Sequence, residues 1–275
     1  MIEKADYHIH TKLCKHATGE IDQYVEMAIR LGMFEIGFSD HAPTDSGFDP
    51  AHRMNIDEFP YYIESIERAK KSYSDINIVI GIEADIYPGF EKNLEKLRRD
   101  FPVEYVIGSV HFIDDVEVHG NRIQSYSKEE KSSLIKRYFD LLETGIYSGL
   151  IDVVAHIDLI KWSLADMQDE IVCHCERILK IVDVRNLILE VNTSGLRKKP
   201  GEIYPGPDIL NRASLLNIPV CLGSDAHNPD DVGLNFEDAV SILKRLGYVE
   251  MSRSKDGLGK VLNRVSEIRQ KCYII

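Results

Sequence analysis

The sequence predicts an α/β protein folded as a closed, TIM-barrel-like parallel barrel in a single domain. Three observations lead there. Short apolar, β-rich runs alternate with amphipathic stretches from end to end, the pattern of a parallel sheet with helices outside it. Runs such as Ile78-Val79-Ile80 and Ile151-Asp152-Val153-Val154 are almost unbroken in apolar character, as strands buried on both faces must be. No internal repeat, low-complexity tract or Ser/Gly linker divides the 275 residues, and about 250 residues is an ordinary size for one barrel.

The elements read in order. A strand over Ala5–Ile9 precedes an amphipathic helix over Ile21–Leu31, and Phe34–Phe38 is followed by a helix over Asp57–Ser72. Ile76–Ala84 pairs with a helix over Phe90–Arg99, and Glu104–Ser109 with a helix over Lys128–Tyr147. Ile151–Ala155, Leu187–Val191 and Pro219–Leu222 are strands, followed by helices over Met167–Val184, Pro207–Leu216 and Asp231–Leu246. A last strand at Val249 and a helix near Leu258–Arg269 close the chain. Seven or eight such units favour a closed barrel. The open alternative, a Rossmann sheet, lacks its Gly-x-Gly-x-x-Gly turn after the first strand. Two long polar loops, Pro43–Ile56 and Phe112–Ser127, have the length of lids or binding loops.

Composition narrows the partners. With 33 Lys+Arg against 45 Asp+Glu the net charge is −12, which argues against binding long nucleic acids but leaves room for a small phosphorylated ligand held by a local field. The N-terminus lacks the apolar core of a signal peptide. No run approaches the roughly 18 apolar residues of a membrane span. The five cysteines form no Cys-x-x-Cys pair, so a reduced, cytoplasmic setting is expected.

The histidines carry the chemistry. His8 and His10 end the first strand, His41 follows the second, and Glu83 and Asp85 end the third. His111 follows the fourth strand, His156 the fifth, Asn192 ends the sixth, and Asp225 and His227 follow the seventh. In a parallel barrel all these strand ends open on one face, where barrel active sites lie. Side chains two apart on a strand share a side, so His8 and His10 can reach one ion. The same holds for Asp225 and His227 if the backbone stays extended. Nitrogen and oxygen ligands suit zinc, manganese or iron. There are more of them than one ion uses, which argues for two or three divalent ions with Glu83 or Asp225 bridging. Cys173-His174-Cys175 falls inside a helix, where residues two apart do not share a face, and reads as packing.

The motifs Asp6-Tyr7-His8-Ile9-His10, His16, Gly37-Phe38-Ser39-Asp40-His41, Gly81-Ile82-Glu83, Gly108-Ser109-Val110-His111, Val154-Ala155-His156 and Gly223-Ser224-Asp225-Ala226-His227 together resemble the PHP (polymerase and histidinol phosphatase) superfamily. His16-Ala17-Thr18-Gly19-Glu20, Asp40-His41-Ala42-Pro43 and His52-Arg53-Met54 resemble its histidinol-phosphate phosphatase branch more specifically. The resemblance implies a distorted (β/α)7 barrel with a trinuclear site, one PHP domain spanning 1–275. By motif, His8, His10, Glu83 and Asp225 would hold one metal, and Glu83 would bridge to a second held by His111 and His156. His16, His41 and His227 would hold the third. It also implies hydrolysis of L-histidinol phosphate to L-histidinol and phosphate in histidine biosynthesis.

Around that set, Arg197 is the expected phosphate clamp, since a guanidinium grips phosphate in a fork, with Lys161 as a second cation. Glu83 and Asp225 are the catalytic carboxylates. Asp158 or Asp40 would orient a ligand histidine, or Asp158 would protonate the leaving alkoxide. His52, Arg53 and Met54 would close over the imidazole end of the substrate. Two other readings remain open: the same barrel acting on another small phosphoester such as a nucleotide, and a non-catalytic metal-binding protein.

Overall fold

The computed structural model describes residues 4–252 and 261–264. In chain order the elements are β1 (Ala5–Ile9), α1 (Ile21–Arg30), β2 (Glu35–Phe38), α2 (Phe59–Ser72), β3 (Asn77–Asp85), α3 (Phe90–Asp100) and β4 (Tyr105–Ser109). A small hairpin of β5 (Phe112–Ile113) and β6 (Val116–Glu117) follows, then α4 (Lys128–Ser148), β7 (Val153–Val154), α5 (Gln168–Arg185) and β8 (Ile188–Asn192). The chain continues through α6 (Pro207–Leu215), β9 (Val220–Gly223), α7 (Phe236–Arg245), β10 (Tyr248–Ser252) and β11 (Val261–Arg264).

Strands β1, β2, β3, β4, β7, β8 and β9 pair in that order, all parallel. The ring closes just past β9, where Ile9 bridges Ala226 in parallel. There the His10 amide donates to the Ala226 carbonyl at 2.9 Å and the Ala226 amide to the His8 carbonyl at 3.2 Å. The buried Asp6 carboxylate completes the seam by accepting from the amides of Ser224 (2.9 Å) and Gly233 (3.0 Å). The result is a seven-stranded, nearly closed α/β barrel.

A plug of side chains fills the lower interior, including Tyr7, Val79, Tyr105, Ile107 and Val153, while a larger core lies between the sheet and the helices. The Tyr105 ring needs space from its neighbours. A Cβ on Gly81 would sit 2.2 Å from Cζ of Tyr105, so the strand must leave that position bare. Above the plug, β1 slips its register by one residue between Asp6 and Ile9. Such a bulge re-aims side chains. Tyr7 belongs to the plug, Ile9 to the outer core, and His8 and His10 share the inner face above it.

The helices follow their local signals. In α4, Ser127 caps the amide of Glu130 at 3.2 Å and Gly149 stops it in the left-handed conformation, φ 72°, a common helix exit. Three expected elements differ. The helix placed at Asp231–Leu246 begins only at Phe236, because Gly233 and Asn235 take φ of 62° and 65°, values that a right-handed helix excludes. The strand expected at Ile151–Ala155 shortens to β7, since the Asp152 side chain itself accepts the Val106 amide at 2.7 Å. The strand expected at Val249 is β10, but residues 261–264 of the expected terminal helix form β11, antiparallel to β10 and joined to β9 at Leu262–Val220. That pairing covers an edge that would otherwise present open backbone groups. Residues 258–260 and 265–269 of that helix lie outside the described residues.

Candidate metal centre and phosphate pocket

The strand C-termini converge as the parallel barrel requires. Their hub is the Glu83 carboxylate at the top of β3, 1% exposed. Its Oε2 lies 3.3 Å from His8 Nε2, 3.5 Å from His10 Nε2 and 3.1 Å from His41 Nδ1. Its Oε1 lies 3.5 Å from His111 Nε2 and 3.1 Å from His156 Nε2. Asp225 is a second hub, its Oδ1 3.4 Å from His10 Nε2, 3.5 Å from His227 Nδ1 and 3.9 Å from His8 Nε2. His16 and His227 face each other, Nε2 to Nε2, at 2.8 Å.

This packing makes sense for cations and poorly without them. His8 Nε2, both ring nitrogens of His10, and His41 Nδ1 are buried and make no hydrogen bond among the described residues. Unpaired polar atoms at that depth are costly, whereas a neutral imidazole nitrogen beside a carboxylate is what a divalent ion needs. The donors fall into compact groups, among them His8 with His10 and Asp225, His16 with His41 and His227, and His10 with His41 and Glu83. The residues present therefore fit a polynuclear centre of N and O ligands. Burial opposes the charge on Glu83, but the imidazoles of His8, His111 and His41 hold its carboxyl well below the usual range. Burial pushes His41 and His227 well down, while against their own burial Glu190 and Glu83 hold His8, and Asp225 and Asp40 hold His10, well up.

Behind the ligands stand carboxylates that aim them. Glu190 Oε1 meets His8 Nδ1 at 2.5 Å, and its Oε2 accepts the His156 amide at 3.0 Å. Asp85 Oδ1 meets His111 Nδ1 at 2.9 Å. Asp40 Oδ1 lies 3.5 Å from His10 Nδ1, with its other oxygen on the Thr11 amide and hydroxyl. The Glu190 and Asp85 contacts fix tautomer and ring direction at His8 and His111. Gly223 belongs to this arrangement, for a Cβ there would stand 2.2 Å from Glu190 Oε1 and 2.8 Å from His8 Cβ.

Over the ligands opens a cavity of about 460 Å³. Arg197 enters it from the turn after β8. Its Nη2 donates to the Ser224 carbonyl at 2.8 Å and its Nε lies 3.7 Å from Asp231 Oδ1, while its Nη1 is buried with no partner among the described residues. Lys198 lies beside it, with Nζ 3.1 Å from Asp225 Oδ2. Phe112, Glu117 and His119 of the second long loop and His52 of the first line the outer wall. Burial lowers His119 to about 4.

The structure thus brings together His8, His10, His16, His41, Glu83, His111, His156, Asp225, His227 and Arg197. Asp225 and His227 converge by a turn, not by extended backbone: Asp225 has φ 53°, a left-handed conformation that aspartate tolerates, forced where the chain turns to bridge Ile9. Three expected residues face elsewhere. Lys161 spends its three protons on Asp158 Oδ2 (2.8 Å), the Ile203 carbonyl (2.9 Å) and Glu202 Oε1 (2.8 Å). Asp158 takes Lys161 and the Gly206 amide (2.9 Å) on one oxygen and orients no ligand histidine. It and Lys161 pin the 203–206 turn, because a buried charge is stable only when paired. Arg53 is buried in an ion pair with Asp49 and Asp85 and is not among the residues that line the cavity. Sequence reading missed Glu190 and Lys198. Glu190 had a signal, a lone carboxylate inside the apolar run Leu187–Val191, where a charge must have a partner. Lys198 looked like any basic loop residue.

Comparison with known proteins agrees with this geometry. The family model "PHP domain" matches residues 6–194. A probable histidinol-phosphatase of Deinococcus radiodurans is 36% identical over 88% of this chain and 93% of that protein. The histidinol-phosphatase of Bacillus subtilis is 30% identical over 86% of this chain and 98% of that protein. In fold, the chain superposes with a TM-score of 0.75 or more on two solved structures, one of them the putative histidinol phosphatase of Listeria monocytogenes, 28% identical, with 86% of this chain and 99% of that chain covered. The other is the Lactococcus lactis enzyme, complexed with zinc, L-histidinol and phosphate, with TM-score 0.78, 22% identity, and 94% of this chain and 98% of that chain covered.

Proposed function

The chain belongs to the PHP domain family, and from that premise we propose that it is a metal-dependent phosphomonoesterase that hydrolyses L-histidinol phosphate to L-histidinol and phosphate in histidine biosynthesis. The observation that carries this reading is the pair of hubs. Glu83 and Asp225 gather the ring nitrogens of six histidines within 3.9 Å of carboxylate oxygens, at a cavity that Arg197 and Lys198 also line. Curated histidinol-phosphatases share 36% and 30% identity over most of the chain.

Three zinc, manganese or iron ions would fit the donors: one on His8, His10, Glu83 and Asp225, a second on Glu83, His111 and His156, a third on His16, His41 and His227. Bound there, they supply Lewis acidity toward phosphoryl oxygens and a water acidic enough to attack at neutral pH. The chain's own groups do the rest. Arg197 and Lys198 offer the phosphate dianion a guanidinium N–H donor and a point charge. Glu83, kept ionised by its histidine neighbours, and Asp225, kept ionised by Lys198 and then by its histidines, hold the centre together. Glu190, Asp85 and Asp40 keep the ligand rings in place, so no reorganisation is needed at the moment of reaction. Free thiols at Cys14, Cys173, Cys175 and Cys221 support a cytoplasmic setting.

Steady-state phosphate release decides the matter. Histidinol phosphate is expected to be the preferred ester in a panel with nucleotides, and activity should vanish on chelation and in His8→Ala, returning to the wild type with added metal. Full activity in metal-stripped protein, or clear preference for a nucleotide, would refute the reading.

A further inference from the structure

The long loop 43–56 sits beside the cavity, yet its most buried charged side chain turns inward. Arg53 is 2% exposed. Its Nη2 lies 2.8 Å from Asp85 Oδ2 and 3.1 Å from Asp49 Oδ2, its Nε donates to the Asp49 carbonyl at 3.0 Å, and its Nη1 donates to the Ala42 carbonyl at 3.0 Å. Its guanidinium lies 4.9 Å from the centre of the Phe48 ring, which stacks on Tyr87 at 4.5 Å. The loop's ion pair to β3 thus runs through one planar fork.

The other side of Asp85 is a metal-ligand candidate. Asp85 Oδ1 takes His111 Nδ1 at 2.9 Å and the His111 amide at 3.3 Å, which turns His111 Nε2 toward Glu83. At the loop's other end, Asp49 Oδ1 binds His52 Nδ1 at 2.8 Å, and the His52 ring packs edge-on against His16 at 5.3 Å. A continuous chain of charge-assisted bonds therefore runs His111–Asp85–Arg53–Asp49–His52 and ends against His16. Resting on the reading above, we infer that Arg53 is a positioning residue: it locks the 43–56 loop onto Asp85 and so fixes His111 for the ion shared with Glu83 and His156. The loop is thereby part of the metal centre's support, and the order of the loop and the affinity of that ion are coupled.

The physical reason for arginine is geometric. Asp85 accepts Arg53 on one oxygen and His111 on the other, so both oxygens are engaged and the carboxylate is held from both sides. A lysine keeps the charge but has no planar fork to span Asp85, two groups of Asp49 and the Ala42 carbonyl at once. Loss of supporting partners of this kind typically costs about 10–100-fold in metal affinity or activity.

The test uses full-length protein with Arg53→Met and Arg53→Lys, with wild type assayed alongside. Equilibrium dialysis against buffered manganese or zinc gives ions bound per chain without reference to turnover. In both variants the weakest-held ion should need about 10–100-fold more free metal, with kcat falling at limiting metal and recovering at saturating metal, and KM for histidinol phosphate nearly unchanged. Methylguanidine should restore metal affinity to an Arg53→Ala protein. If Arg53→Met does not fold, Arg53→Lys decides by the same readouts. Variants that melt earlier but bind metal and turn over as wild type does would show a purely structural arginine and overturn the inference. Wild type that binds metal yet releases no phosphate would instead overturn the functional reading and leave the metal-affinity result standing.

Discussion

At the scale of single residues, the centre depends on where charge is placed. Arg197 is held by the Ser224 carbonyl and flanked by Asp231, so its guanidinium is fixed at the cavity wall before any ligand arrives. Arg197→Ala should lower kcat/KM by about 10²–10³-fold, the usual loss for one preorganised donor to a developing oxyanion, with metal content unchanged by elemental analysis. Glu190 makes a different prediction. Glu190→Gln keeps the shape and can still accept from His156, but removes the charge behind His8 Nδ1. Metal affinity or activity should fall by about 10–100-fold, and titration with chelator should show one ion leaving earlier. Unchanged retention of all ions would mean that Glu190 serves only packing. Both residues also mark the limit of the sequence. Arg197 was legible because it lies just after a strand end, whereas nothing in the chain order shows that Glu190 and His8, 182 positions apart, are in contact.

At the scale of elements, strand pattern and strand ends were legible and the irregularities were not. Alternation and apolar runs marked all seven barrel strands to within a few residues. The β1 bulge, the left-handed turn at Asp225 and the late start of α7 were not legible, because each answers to a partner distant in sequence: Ile36, Ile9, or the Asp6 carboxylate that accepts the Gly233 amide. Gly81 shows how tightly a strand is bound to its surroundings. Gly81→Ala would drive a methyl into the Tyr105 ring, which is anchored by its hydroxyl on the Tyr7 carbonyl at 2.7 Å. The expected cost is about 1–3 kcal/mol, typical of overpacking, read as a lower denaturation midpoint at unchanged slope. Because Tyr7 adjoins His8, a loss of metal affinity should accompany it.

At the scale of the whole molecule, the −12 net charge acquires a local meaning. Glu83, Asp225, Glu190, Asp85 and Asp40 are all buried and gathered at one end of the barrel, an arrangement that repels itself without cations. Folding and metal binding are therefore linked: an ion that binds only the native state adds about 2.7 kcal/mol at a hundredfold excess over its Kd. Protein stripped of metal should melt several degrees lower in scanning calorimetry and regain the difference on titration with zinc or manganese, in steps that follow the number of ions bound. Identical melting with and without metal would mean that the centre contributes nothing to the native state.

The sequence by itself determined the barrel, the face on which chemistry occurs and the identity of the ligand candidates, because a two-residue strand period and parallel order send every strand end to the same rim. Only the tertiary structure decided which of these charges line the cavity and which are spent on partners outside it. Lys161, Asp158 and Arg53 are the right residue types near the right strand ends, yet their partners are Glu202, Gly206, Asp49 and Asp85. A buried charge takes the direction of whatever satisfies it, and that partner is chosen by the packing of distant segments, which no local pattern encodes.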